Sequence, residues 1–246
     1  MEHHHVKYSE GKTWKSFVFE FLMLFFAVFL GFMAEYFLEH RIEKERGKQF
    51  VISMVEDMGS DTMKIRMSND YNKKVIKGLD SLDQLLANFN YDDSSIYHLY
   101  RLYTRYCTNI NTVEFTKRTI SQLLNSGGHR LITNPSTSQL INTYAEGVGG
   151  EEQQGNYVKG AFDHILMYAE KILVLRDCPR NEMEWELLKK KKLQLISRDN
   201  TLYSQFRNSI TTYSDVLSLY VQGLDSGYVL IPKMFINPIK KDYRLN

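Results

Sequence analysis

Proline is scarce in this chain, with four in 246 residues, and cysteine is scarcer, with two. So little proline excludes a Pro-rich linker protein. Two cysteines exclude a disulfide-stapled mini-domain and a four-cysteine zinc site. Neither charge sign dominates: 31 basic against 29 acidic residues leave a formal charge of +2. That balance makes no case for nucleic acid as a partner. Signatures of chemistry are missing as well. The chain has no G-x-x-x-x-G-K-[ST], no H-E-x-x-H, no G-x-S-x-G and no Rossmann fingerprint, and no internal repeat. A run of alternating β-branched residues is absent before Tyr228–Ile231, which is too short to change the fold class.

What the sequence does have is one apolar segment. Phe21 to Ala34 is free of charge and rich in Phe and Leu. Phe17, Val18 and Phe19 extend it on one side, and Tyr36, Phe37 and Leu38 on the other. A helix over 17–38 measures about 33 Å at 1.5 Å per residue, enough for a hydrocarbon core of about 30 Å. Trp14 and Tyr36 stand where interface anchors belong. Glu20 and Glu35 each lie about one turn from an end, within reach of the headgroups. Cleavage after Ala34 would put bulky Phe32 at −3, against the small-residue rule for signal peptides. The segment therefore reads as an uncleaved signal anchor, with the lipid bilayer as its first partner.

Ala27, Gly31 and Glu35 recur every four residues with Ala34 beside them. Such a stripe lets helices approach closely in lipid, so a homo-oligomer or a membrane-protein partner is expected there. Basic residues do not decide orientation, since Lys7, Lys12 and Lys15 are matched by Arg41, Lys44, Arg46 and Lys48. A short N-terminal tail before an uncleaved anchor stays inside, which places the bulk of the chain in the periplasm of a single-pass bacterial inner-membrane protein.

Beyond the anchor the pattern is helical. Val51, Val55, Met58, Thr62 and Ile65 follow 3–4 spacing, interrupted at Asn69 and Asn72 and resumed at Leu79, Leu82 and Leu86. Ser68-Asn-Asp70 marks a bend. Asp92-Asp-Ser-Ser95 opens a helix with Ile96, Leu99, Tyr103, Tyr106 and Ile110 on one face. Another covers Glu114–Asn125 and stops at Gly127-Gly128. Pro135-Ser-Thr137 opens the next, and Gly147 to Gly155 reads as a loop. Helices then follow over Tyr157–Arg176, Glu182–Ile196 and Thr201–Leu224. The class is all-α: an N-terminal transmembrane helix continuing into a helical bundle. Its parts are a tail over 1–16, the membrane helix over 17–38, a juxtamembrane long helix or stalk over 39–90, a bundle over 91–227 and a C-terminal tail over 228–246.

Residues that carry chemistry elsewhere are dispersed here. Glu39, His40 and Glu43 cluster on one helix but lack the paired Glu-x-x-His motifs of a bundle metal site. His3-His4-His5 reads as a terminal run or a tag remnant. Lys189–Lys192 follows Glu182, Glu184 and Glu186, which makes an ion-paired helix face. Cys107 and Cys178 either form one disulfide in an oxidising compartment or remain two buried thiols. The tyrosines on helical faces read as core with hydroxyls at the rim. No cofactor and no catalytic set is expected.

Two stretches carry a resemblance. One runs from Phe19-Glu-Phe-Leu22 through Leu30-Gly-Phe-Met-Ala-Glu35 to Val51-Ile-Ser-Met-Val-Glu-Asp57 and Asp61-Thr62. The other is Thr119-Ile-Ser-Gln-Leu-Leu-Asn-Ser-Gly-Gly-His-Arg-Leu-Ile132. Over about residues 14–145 the chain resembles uncharacterised single-pass membrane proteins of Gram-negative, Bacteroidota-type bacteria, known only as a domain of unknown function. The resemblance implies an inner-membrane anchor and a helical extracytoplasmic domain, and no activity. Leu131 and Ile132 are expected to seat the chain's return in the core. The expected function is a non-enzymatic, membrane-anchored interaction protein, an accessory or scaffold subunit of an inner-membrane complex. The alternative is a periplasmic ligand-sensing domain acting through a partner.

Overall fold

A computed structural model describes residues 14–125, 127–179, 184–186 and 192–245. The protein is all-α: among the described residues there is no strand, and one long apolar N-terminal helix leads into packed helical segments. Helix α1 spans Trp14–Ala87, and α2 spans Asp93–Tyr106. After an irregular stretch come α3 over Arg118–Asn125, a 3₁₀ turn over Gly128–Leu131 and α4 over Pro135–Ile172. The chain returns through a second 3₁₀ turn at Leu175–Asp177 to α5 over Asn200–Leu230, a π-helical segment over Ile231–Ile236 and α6 over Asn237–Tyr243.

Start and stop signals act through their side chains. Asp92 caps α2 by accepting from the Ser95 backbone N–H at 2.7 Å. Asn134 accepts from Ser136 and Thr137 ahead of α4, with Pro135 in its first turn. Asp199 accepts from Thr201 at 2.7 Å to open α5. These carboxylate and amide oxygens occupy N–H groups that the first helical turn leaves unpaired. After α3, Gly127 takes φ +64, the left-handed geometry that glycine tolerates, and the chain turns. Its neighbour Ser126 lies outside the described residues.

Helix α1 is the axis of the molecule. Its 74 residues correspond to about 110 Å of continuous helix. Every residue from Phe17 to Arg46 is exposed, and Gly47 is the first buried one. From there Val51, Met54, Met58, Ile65, Val75, Leu79, Leu82 and Leu86 enter the core. Both α1 and α4 pack along α5, and α2 lies against α1. The core is one cluster holding Leu99, Tyr103, Ile141, Ile165, Phe206, Ile210, Tyr213 and Leu217. Two glycines on α1 permit close crossings. A Cβ on Gly47 would sit 2.1 Å from the Leu131 carbonyl oxygen, and one on Gly78 would sit 2.2 Å from the Tyr106 ring.

Several expectations are corrected. The long helix expected over 39–90 is part of α1, which continues without a break through residue 38 and through Ser68-Asn-Asp70, and its second half builds the bundle. Gly147 to Gly155 is helical, the middle of α4. Glycine costs about 1 kcal/mol each in a helix, but Tyr144, Val148 and Val158 are buried on the same helix and hold it through the run. The helix placed at Glu114 starts at Arg118, because residues upstream are held by α1 side chains. Of Glu182–Ile196, residues 184–186 are helical and 192–199 are not; Leu195 pairs with Leu173 in an isolated antiparallel bridge. Glu182 and the lysines at 189–191 lie outside the described residues, as do the histidines at 3–5. The tail over 228–246 is helical to Tyr243 and packed, with Ile231 and Ile239 buried.

Candidate functional site

The apolar segment of α1 has a bare surface. Seventeen large apolar side chains between Phe17 and Leu38 are exposed. At about 1.5–3 kcal/mol for burying each one, the unmet burial amounts to tens of kcal/mol. The segment passes the length and composition test for crossing a membrane. Ala27, Gly31, Ala34 and Glu35 all lie within it and are exposed. A Cβ on Gly31 would meet nothing within 4 Å, so among the described residues the stripe packs against no other part of this chain. Just past it Tyr36 and His40 stack, with ring centroids 6.4 Å apart. Glu43 pairs with Arg130 at 3.4 Å, tying α1 to the turn after α3.

Further along α1 a row of polar side chains is buried in the bundle: Asp57, Asp61, Ser68, Asn69 and Asn72. Asp61, Ser68 and Asn72 latch the irregular segment that joins α2 to α3, Asp57 holds the start of α3, and Asn69 reaches α5. Asp57 accepts from the Arg118 guanidinium at 2.9 Å, the Thr119 hydroxyl at 2.6 Å and the Thr119 backbone N–H at 3.2 Å. Asp61 accepts from the Thr116 backbone N–H at 2.8 Å, the Thr116 hydroxyl at 2.7 Å, Lys64 at 3.2 Å and the Tyr144 hydroxyl at 2.7 Å. Asn72 donates to the Asn111 carbonyl at 2.9 Å, and Asn69 donates to Asp225 on α5 at 2.9 Å. On the other side of the same segment, the Val113 N–H donates to the Tyr220 hydroxyl at 2.8 Å. Each carboxylate thus has several donors, as buried charge requires. This is a structural clamp with no acid left over for chemistry.

The buried tyrosines act in the same way. Tyr100 donates to the Gln194 carbonyl and accepts from the Val174 N–H, both at 2.8 Å. Burial pushes its phenol up to about 12. Tyr100 and Tyr220 therefore bring their hydroxyls to backbone groups in the interior, and Tyr144 brings its own to Asp61, deeper than the expected rim. Cys107 is buried and Cys178 half-buried, and both are free thiols; burial pushes the Cys107 thiol up, toward its unreactive form. Among the described residues no three His, Cys, Asp or Glu side chains converge on a common point.

A cavity of about 300 Å³ opens between α4, α5 and the π-helical segment. Ile65, Tyr144, Val148, Leu224 and Ile231 form its buried floor. Thr143, Gly147, Ser226 and Leu230 line it at the surface. One acid, Glu151, lies in its wall. Sequence reasoning could not find this site, because its residues come from five separate stretches and its acid sits in the run that reads as a loop. Comparison of this chain with protein-family models, curated proteins and solved structures yields no match.

Proposed function

We propose that this chain is a membrane-anchored, non-enzymatic interaction protein, serving as an accessory or scaffold subunit of a bacterial inner-membrane complex. The observation that carries the reading is the bare apolar half of α1. Tens of kcal/mol of unmet apolar burial exceed the 5–15 kcal/mol by which a typical domain is stable, so that surface needs a cover from outside the chain. Lipid supplies it over most of the circumference, and the Ala27–Gly31–Glu35 stripe offers a second helix a close approach. The anchor is continuous with the helix that builds the bundle core. A partner gripping the membrane segment therefore holds the bundle at a fixed distance and angle, which suits a scaffold. The bulk of the chain lies in the periplasm in this reading.

Cysteines placed one at a time at Leu30 and Gly31 in native membranes test it. Oxidative cross-linking of the full chain, to itself or to one recurring membrane partner, is expected at Gly31→Cys and much less at Leu30→Cys. Equal cross-linking at both positions, or none at either, removes the stripe as an interface. Protease added to spheroplasts should digest the bundle; a protected bundle reverses the orientation.

A further inference from the structure

The cavity beside α5 has a composition that selects its occupant. Its volume of about 300 Å³ lies at the small end of ligand sites. Taking about 30 Å³ for a water-sized unit, it has room for roughly ten non-hydrogen atoms. The floor is apolar, and Phe115, Tyr144 and Phe235 add aromatic rings. Such a lining favours an apolar body.

Against this lining stands one charged group. The Oε2 of Glu151 is buried and has no hydrogen-bond partner. The acids of the α1 clamp are saturated with donors; of the four buried side-chain atoms without a partner among the described residues, on Asn69, Asn72, Thr104 and Glu151, the Glu151 oxygen alone belongs to a carboxylate. An unpaired buried acceptor is costly, and burial pushes the Glu151 carboxyl above its ordinary range. Nor is the carboxylate there by accident of packing. It rests on Gly223, where a Cβ would sit 3.0 Å from Oε1 and 3.4 Å from Oε2. Glycine at 223 leaves the carboxylate its place, and Gly147 and Gly227 keep the remaining wall open.

The far wall is also unusual. Leu230, Ile231 and Phe235 reach the cavity from the start and body of the π-helical segment Ile231–Ile236. Pro232 has no N–H to give to the α-helical ladder, and the helix widens there. Widened turns of this kind recur at functional sites.

We infer that this cavity binds a small primary amine with an apolar arylalkyl or alkyl body, its ammonium donating to Glu151 Oε2 and its body seated on Ile65, Val148, Leu224 and Ile231. An ammonium supplies both the missing donors and the missing opposite charge, which a neutral alcohol of the same shape does not. The aromatic rings add to the preference for a cation. This inference is independent of whether α1 crosses a membrane.

The test uses the full chain in non-ionic detergent micelles, titrated calorimetrically with phenethylamine and with 2-phenylethanol, each corrected by protein-free micelles. Phenethylamine should bind saturably at one site, about tenfold or more tighter than the alcohol, as expected for a charge-assisted hydrogen bond. Glu151→Gln should bring the amine to the alcohol's affinity, and Gly227→Leu, which fills the cavity, should abolish both. Equal affinity for amine and alcohol, no saturable amine binding, or a Glu151→Gln variant that binds the amine like the parent overturns the inference. The two-ligand comparison needs only the unaltered protein, so a variant that fails to fold does not blunt the test.

Discussion

Replacing Asp61 by alanine should loosen the bundle about as much as truncating a large apolar core side chain on α1. Asp61 is completely buried and serves four donors. On its removal Lys64 keeps the Glu114 carbonyl at 2.8 Å and the Thr116 hydroxyl at 2.7 Å. The Thr116 N–H and the Tyr144 hydroxyl have no such alternative. Each stranded donor costs about 1–3 kcal/mol, so the two together put the loss near 4 kcal/mol. Against a typical stability of 5–15 kcal/mol, that raises the open population roughly 10²–10³-fold. Cys107 reports it. Its side chain is 0% exposed, and its thiol is held protonated by burial, so a thiol reagent reaches it through opening of the bundle. In a Cys178→Ala background, Asp61→Ala should speed Cys107 labelling by about two to three powers of ten, and Tyr144→Phe by about fivefold, one hydrogen bond's worth. A labelling rate for Asp61→Ala within about threefold of the parent, under 1 kcal/mol, would refute the clamp.

Gly78→Ala drives a Cβ into the Tyr106 ring and should lower the melting temperature, at an overpacking cost of about 1–3 kcal/mol. Gly59→Ala meets nothing within 4 Å and should raise it, by up to about 1 kcal/mol of helix propensity; the same sign for both would contradict the packing described. Tyr220→Phe leaves the Val113 N–H unpaired and should cost about 1–3 kcal/mol, with faster amide exchange at Val113 as the local signature. Glu151 has a folded-state carboxyl pKa raised above its ordinary 4.5, so its contribution favours folding below pH 4.5 and is lost as pH rises through the raised value. Ligand-free Glu151→Gln should therefore melt higher than the parent at pH 7.5 and no higher below about pH 4; the same difference at both would show that Glu151 is not strained by burial.

Much of the architecture is legible in the residues, and the failures share a cause. Asp92, Pro135 and Gly127 act locally, through a side chain or a backbone preference a few atoms away, so their signals survive without tertiary context. Asn69 and Asn72 read as breaks in the α1 stripe because a two-letter pattern counts every polar residue as solvent-facing. They are buried at 3% and 1% exposure because the segment over 107–117 brings backbone carbonyls and Asp225 comes from α5. The glycine-rich run reads as a loop on propensity alone, yet α4 is pinned on both sides of it. The cavity was invisible for the same reason at longer range: Glu151 becomes conspicuous only when Gly223, from a different helix, lies under its carboxylate. The small-residue stripe was legible at once and acquires no partner among the described residues, which is why its role rests on experiment in membranes.

The claim beneath the account is that residues 17–38 remain part of the chain and lie in lipid while the bundle stands beside the membrane. Intact-mass measurement on the protein held in alkali-washed membranes tests it in one step. The account predicts a membrane-bound chain whose mass includes Phe17–Leu38. A chain shortened past that segment, or a full-length chain released by alkali into the supernatant, would contradict it.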